Sequence, residues 1–155
     1  MADENTFPLN FERKFEINIT PSGETETWAA IAAGISNISK EGNEVIDQTQ
    51  YYDGGGVGSS EVTGGQPVWS FSGHRVDGDA AQDYIFGLAL SYGAARKTSF
   101  KASDPDGRVV TGSCTIANIS ESGGDANAKN EISFEVHANG KPTVTAGATI
   151  AAAEG

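Results

Sequence analysis

Apolar residues in this chain return at every second position over several separate stretches, a period that belongs to half-buried β-strands and not to helices. In residues 14–20, Phe15, Ile17 and Ile19 fall on one face of an extended segment, and Glu16, Asn18 and Thr20 fall on the other. Residues 68–76 place Trp69, Phe71, Gly73 and Arg75 on one face and Ser70, Ser72 and His74 opposite. Ile132, Phe134 and Val136 alternate with Glu131, Ser133, Glu135 and His137. One dry and one wet face marks antiparallel strands packed on a single side. Residues 108–120 keep phase through Val110, Cys114 and Ile116 and lose it at Ile119, which predicts a bulge or a change of face near Asn118. A short strand over 97–102 joins that segment through Ser103, Asp104, Pro105, Asp106 and Gly107, a hairpin turn in which proline presets φ and glycine takes the left-handed conformation.

Only one segment has a helical period. After Asp77, Gly78 and Asp79, the residues Ala81, Ile85, Leu88, Ala89 and Tyr92 share a helical face, with Asp77 or Asp79 as N-cap and Gly93 as the expected C-terminal cap. Phe86 and Leu90 widen the apolar stripe, so the helix is expected to lie between the sheet and a second surface such as a neighbouring subunit. Residues 28–38 are alanine-rich, but Gly34 interrupts them and the chain is expected to be extended from there. A strand is expected over 47–52. Residues 53–66, fourteen residues with six glycines, then read as a long loop, and such loops in a compact domain are functional or disordered.

Charge and composition exclude several classes. Ten Lys and Arg against 21 Asp and Glu leave a net charge of -11, which argues against binding nucleic acid through phosphate neutralisation. A single cysteine gives neither a disulfide framework nor a cysteine-built zinc site, and Cys114 in an apolar strand reads as a small core residue. Residues 54–60 lack the lysine of a phosphate loop, and the turn at 104–107 lacks the further ligands of a calcium loop. His74 and His137 sit on wet strand faces far apart in sequence, with no third metal ligand evident. Neither a nucleophile elbow nor a distinguishable pair of acids is present, so the expectation is a protein that is not an enzyme and uses no cofactor or metal. The opening MADENTFPLN has no basic n-region or apolar h-region, and no apolar run approaches the ~20 residues of a membrane helix, so synthesis in the cytoplasm and no membrane association are expected.

The order of several short motifs resembles the major tail proteins, or tail tube proteins, of long-tailed bacteriophages. These are the Gly34-Ile35-Ser36 turn, the Asn43-Glu44 pair, Tyr51-Tyr52-Asp53-Gly54 opening the glycine-rich loop, and Phe71-Ser72-Gly73-His74-Arg75. They continue with Gly78-Asp79 leading to Tyr84 at the helix start, Gly123-Gly124-Asp125, and Gly140-Lys141-Pro142-Thr143. The resemblance spans residues 11–145, with 1–10 as an N-terminal arm and 146–155 as a flexible C-terminal tail. It implies a mainly β (α+β) fold, an antiparallel β-sandwich or barrel with one flanking α-helix and a long Gly-rich loop. It also implies self-assembly into six-membered rings stacked as a tube around a tape measure protein, bounded by tail initiator and terminator proteins. DNA would pass through in transit without specific binding, and the protein would reside in the virion tail. Relatives that carry a further C-terminal immunoglobulin-like domain suggest a decoration role that is not expected here.

In that setting the open edges of two-faced strands would be covered by the next copy in a ring. The loop residues Tyr51, Tyr52, Asp53, Gly54, Gly55, Gly56, Val57, Gly58 and Val62 would dock on a neighbour, loose in the monomer and ordered in the tube. The wet-face acids Glu16, Glu131 and Glu135 would face the lumen, where an acidic or neutral wall lets DNA slide. The alternative from another class is a β-sandwich binding module for carbohydrate or a cell-surface ligand, with Tyr51, Tyr52 and Trp69 stacking on the ligand.

Overall fold

Strands form where the period-two pattern places β-branched and aromatic residues on one side, because a pleated, half-buried surface is where such side chains pack. The computed structural model describes residues 7–145; residues 1–6 of the expected N-terminal arm and the expected tail at 146–155 lie outside them. The chain runs β1 (Lys14–Asn18), β2 (Trp28–Ala30), β3 (Ile35–Glu41), β4 (Val45–Asp47), β5 (Glu61–Gly64), β6 (Val68–His74), α1 (Ala80–Gly87), β7 (Lys97–Ser103), β8 (Val109–Glu121) and β9 (Glu131–Thr145). Seven strands form one antiparallel sheet in the order β2-β1-β7-β8-β9-β6-β3, and β4 and β5 pair separately. The fold is mainly β with one helix, and the large sheet curls into a half-barrel.

The curl has a visible cause in the core. Phe15 of β1 meets Trp69 and Phe71 of β6 at ring-centroid distances of 5.5 and 4.9 Å, and Trp69 meets Phe100 of β7 at 4.8 Å. Strands well separated in the sheet therefore touch across its concave side. Phe71 and Phe134 stack at 4.9 Å, and Ile17, Ile85, Ile116 and Val136 complete a continuous buried cluster. Full burial of such side chains contributes about 1.5–3 kcal/mol each, so this aromatic layer carries much of the stability. Cys114 lies inside it, and burial pushes its thiol pKa up to about 12.

The expected hairpin joins β7 to β8, with Ser103 opposite Val109, Gly107 at φ 94° and its N–H donating to Asp104 O at 3.0 Å. The expected bulge lies between Ala117 and Ser120, where Asn118 adopts φ 54°. Residues from Ile35 onward are extended, as β3.

Other expectations need correction. The helix starts at Asp79, whose side chain accepts the Gln82 N–H, but it ends at Gly87 rather than running to Gly93. Arg96 explains the early stop, donating from Nε to Leu88 O and Ser91 O and from Nη2 to Ala89 O, which satisfies carbonyls a longer helix would have used. Tyr92 is consequently 73% exposed instead of continuing the buried face. Phe86 turns inward, edge-on to Phe134 at 6.2 Å, while Leu90 is 86% exposed. Arg75 does not extend the apolar face of β6, because the strand ends at His74. The strand expected over 47–52 is instead Val45–Asp47, and the supposed fourteen-residue loop contains β5, whose pairing with β4 makes a projecting hairpin arm.

Two glycines shape the sheet edge. A Cβ on Gly34 (φ 76°) would lie 2.4 Å from His74 O, and one on Gly73 would lie 2.1 Å from Gly34 O. Only glycine lets β3 and β6 close up at the register shift between Ile35 and Asn37.

Candidate assembly site

The arm begins where β3 ends. Gln66 N–H donates to Gly42 O at 2.9 Å, Asn43 Nδ2 donates to Gln66 O at 3.1 Å, and Gln66 Nε2 donates to Ala138 O on β9 at 3.0 Å. Beyond this root, Ile46 pairs with Val62 and Asp47 with Glu61. Gln48 Nε2 donates to Ser60 Oγ at 3.0 Å, extending the ladder by a side-chain bond. The tip is a 3-10 turn over Tyr52–Gly54 followed by Gly55 and Gly56, both with left-handed φ.

All nine loop residues singled out in the sequence, Tyr51 to Gly58 and Val62, are thereby brought onto one arm, and all are exposed. Val45, Ile46, Tyr51, Tyr52, Val57 and Val62 present apolar surface on both sides of the hairpin. An isolated two-stranded hairpin is marginal in water, and contiguous exposed apolar surface marks an interaction site.

Among the described residues the large sheet has two borders without a strand partner, β2 on one side and β3 on the other. Of the sugar-stacking trio, Trp69 is only 7% exposed and packs on Phe15 and Phe100, so its ring is mainly core and offers little surface on which a sugar could stack. That leaves Tyr51 and Tyr52 as the exposed aromatics of the carbohydrate-binding alternative.

Glu16, Glu131 and Glu135 share the outer, convex face of the sheet but do not meet. Glu16 stands opposite Lys101 on β7, Glu131 opposite His74 on β6, and Glu135 opposite Ser70 and Ala117. Glu135 is the most engaged of the three: His137 Nε2 and Asn118 Nδ2 each lie 2.8 Å from its Oε1, and these hydrogen bonds hold its carboxyl below the usual glutamate range. Ser70, Ser72, Ser99, Thr115 and Ser133 occupy the same face by register, so the surface between the acids is rich in small hydroxyls.

Sequence reasoning missed the Arg75 cluster. Arg75, 17% exposed, donates to Asp83 Oδ1 at 2.9 Å, lies within 4.0 Å of Asp77 and Glu121, and covers the Phe86 ring at 5.3 Å. Gln82, fully buried, donates to Ala33 O at 2.7 Å and accepts the Val76 N–H at 2.8 Å. Together they fasten α1 to the sheet. The available signal was a lone arginine just before an Asp-rich helix start, which could equally have been a solvated charge. Among the described residues no cluster of His, Cys, Asp and Glu has metal-site geometry, and no helix is long and apolar enough to cross a membrane.

No protein-family model and no curated protein matches the chain. Solved structures do. A chain from the tail of an empty gene transfer agent particle, determined with C6 symmetry, is 21% identical, with a TM-score of 0.64 over 90% of this chain and 100% of its own. A chain from the virion of a native gene transfer agent particle is 19% identical, with a TM-score of 0.63 over the same shares. The SPP1 tail tube protein is 13% identical, with a TM-score of 0.58 over 89% of this chain and 78% of its own. The chain therefore shares, over most of its length, the fold of these gene transfer agent and SPP1 tail chains.

Proposed function

We propose that this protein is a structural subunit of a virion tail tube, self-assembling into stacked six-membered rings that form the conduit for DNA delivery. The observation that carries the reading is a hairpin arm with exposed apolar residues on both sides, attached to a sheet whose β2 and β3 borders are open. Unpaired borders are an aggregation hazard unless another strand or chain covers them, and ring closure does so with copies of the same molecule. The tail assemblies among the structural neighbours, one of them determined with C6 symmetry, support the same reading.

In this proposal Tyr51 to Gly58 and Val62 are assembly residues, ordered by docking on a neighbouring copy. Glu16, Glu131 and Glu135 belong to the lumen wall, where acids separated by hydroxyl side chains would repel DNA phosphates and let the duplex slide. The tape measure protein would occupy the lumen before DNA, and initiator and terminator proteins would bound the tube. The role is mechanical and calls for no catalytic group or cofactor.

Negative-stain microscopy of the concentrated protein, alone and with tail initiator proteins, tests the reading. Hollow tubes of stacked rings are expected, and monomers under every condition would overturn it.

A further inference from the structure

Because β3 curls round toward β1 and the β7–β8 turn, a groove of about 520 Å³ opens between them. Its floor includes Trp69, Ile38 and Val110, and its walls carry Arg13, Lys14, Lys40 and Arg108 against one carboxylate, Asp104. Asp104 is shared by Arg13 at 3.1 Å and Arg108 at 3.9 Å, and Lys40 Nζ lies 5.3 Å above the Trp69 ring. A protein with a net charge of -11 and ten Lys and Arg thus gathers four of those cations at one apolar cleft.

The hairpin arm has the opposite character. Residues 42–66 carry Glu44, Asp47, Asp53 and Glu61 and no lysine or arginine. Asp47 and Glu61 stand directly opposite each other in the β4–β5 ladder, a like-charge pairing that destabilises a hairpin unless cations are supplied from outside. The arm's apolar residues are exposed, and its root is bonded to Ala138 on β9. No residue of the arm lines the groove of its own chain.

We infer that the basic apolar groove between β3 and the β7–β8 turn is the receptor for the acidic hairpin arm of a second copy of this chain. Valine, isoleucine and tyrosine side chains of the arm would cover the groove floor, and Asp47 and Glu61 would meet Lys40 and Arg108. Charge complementarity of this kind fixes register and speeds encounter, while the apolar contact supplies area. The inference rests on the tail tube reading for its biological setting, but it specifies a contact that can be tested separately.

The test has two arms. Val57→Cys in one preparation and Asn37→Cys in another are mixed and treated with a short bismaleimide; Cys114 is buried and stays silent. A cross-linked heterodimer is expected. In parallel, Lys40→Glu with Arg108→Glu, or Asp47→Lys with Glu61→Lys, should each raise the concentration needed for assembly about tenfold, and the chain carrying all four changes should recover. Far-UV circular dichroism of each variant separates loss of assembly from loss of folding. Tubes that form without the cross-link and ignore the charge reversals would overturn the groove while leaving the tail tube reading intact. A cross-link within a single chain carrying both cysteines, in place of one between chains, would also overturn it. Cross-linked pairs without tubes would support the groove and count against the tube, and the absence of both would end both.

Discussion

The ring of Phe15 on β1 stands edge-on to the ring of Phe71 on β6, 4.9 Å between centroids, although β7, β8 and β9 separate the two strands in the sheet. That contact holds the sheet in its curl and so brings β3 opposite β1. Phe71→Ala should cost about 3–5 kcal/mol, since Phe71 is fully buried and also stacks on Phe134. Urea denaturation measures the loss, and a change below about 1 kcal/mol would mean that the aromatic layer does not carry the core.

Gly34 is held where no other residue fits. Gly34→Ala places a Cβ 2.4 Å from His74 O at a positive φ, so β3 must pull away from β6. A loss of at least about 2 kcal/mol is expected in thermal or urea unfolding, combining backbone strain with a steric clash.

Removing the arm should separate folding from assembly. A variant in which residues 44–64 are replaced by a two-glycine link retains the root bond between Gln66 N–H and Gly42 O and every strand of the large sheet. Its far-UV circular dichroism and melting temperature should stay close to those of the parent, while tubes vanish from micrographs. Normal tubes would take the arm out of the mechanism.

The Glu135 carboxyl titrates below the usual glutamate range because of its bonds from His137 and Asn118. A depressed folded-state pKa means a stabilising contribution that is complete above the unfolded value near 4.5 and is lost as pH falls through the lower folded value. Stability curves against pH for the parent and Glu135→Gln should therefore differ at neutral pH and converge in acid. A constant offset at all pH values would show that the carboxylate charge is not what the bonds favour.

Cys114 supplies a check on the core itself. With no exposed surface and a thiol pKa pushed to about 12, it should resist neutral alkylating reagents until the protein is denatured, as read by mass spectrometry. Rapid modification of the native protein would show that the barrel interior opens.

The alternation of Phe15 and Ile17, of Trp69 and Phe71, and of Ile132, Phe134 and Val136 was enough by itself to specify strands and the inward side of each, because side-chain direction in a strand is a local property with period two. The bulge near Asn118 and the turn at Gly107 were legible from equally local signals, whereas Asp77 and Asp79 were both open as the N-cap until the helix geometry selected Asp79. Tertiary structure decided what depends on partners distant in sequence. Arg96 ends the helix at Gly87 from nine residues beyond it. Arg75 joins Asp83 to Glu121, two carboxylates far apart along the chain. The arm needed both its halves before either read as strand: Glu61 to Gly64 has too few apolar residues to announce itself and becomes β5 only opposite Val45 to Asp47. The basic groove was invisible for the same physical cause, since Arg13, Lys40 and Arg108 come together only after aromatic contacts have rolled the sheet up, and no local pattern encodes a roll.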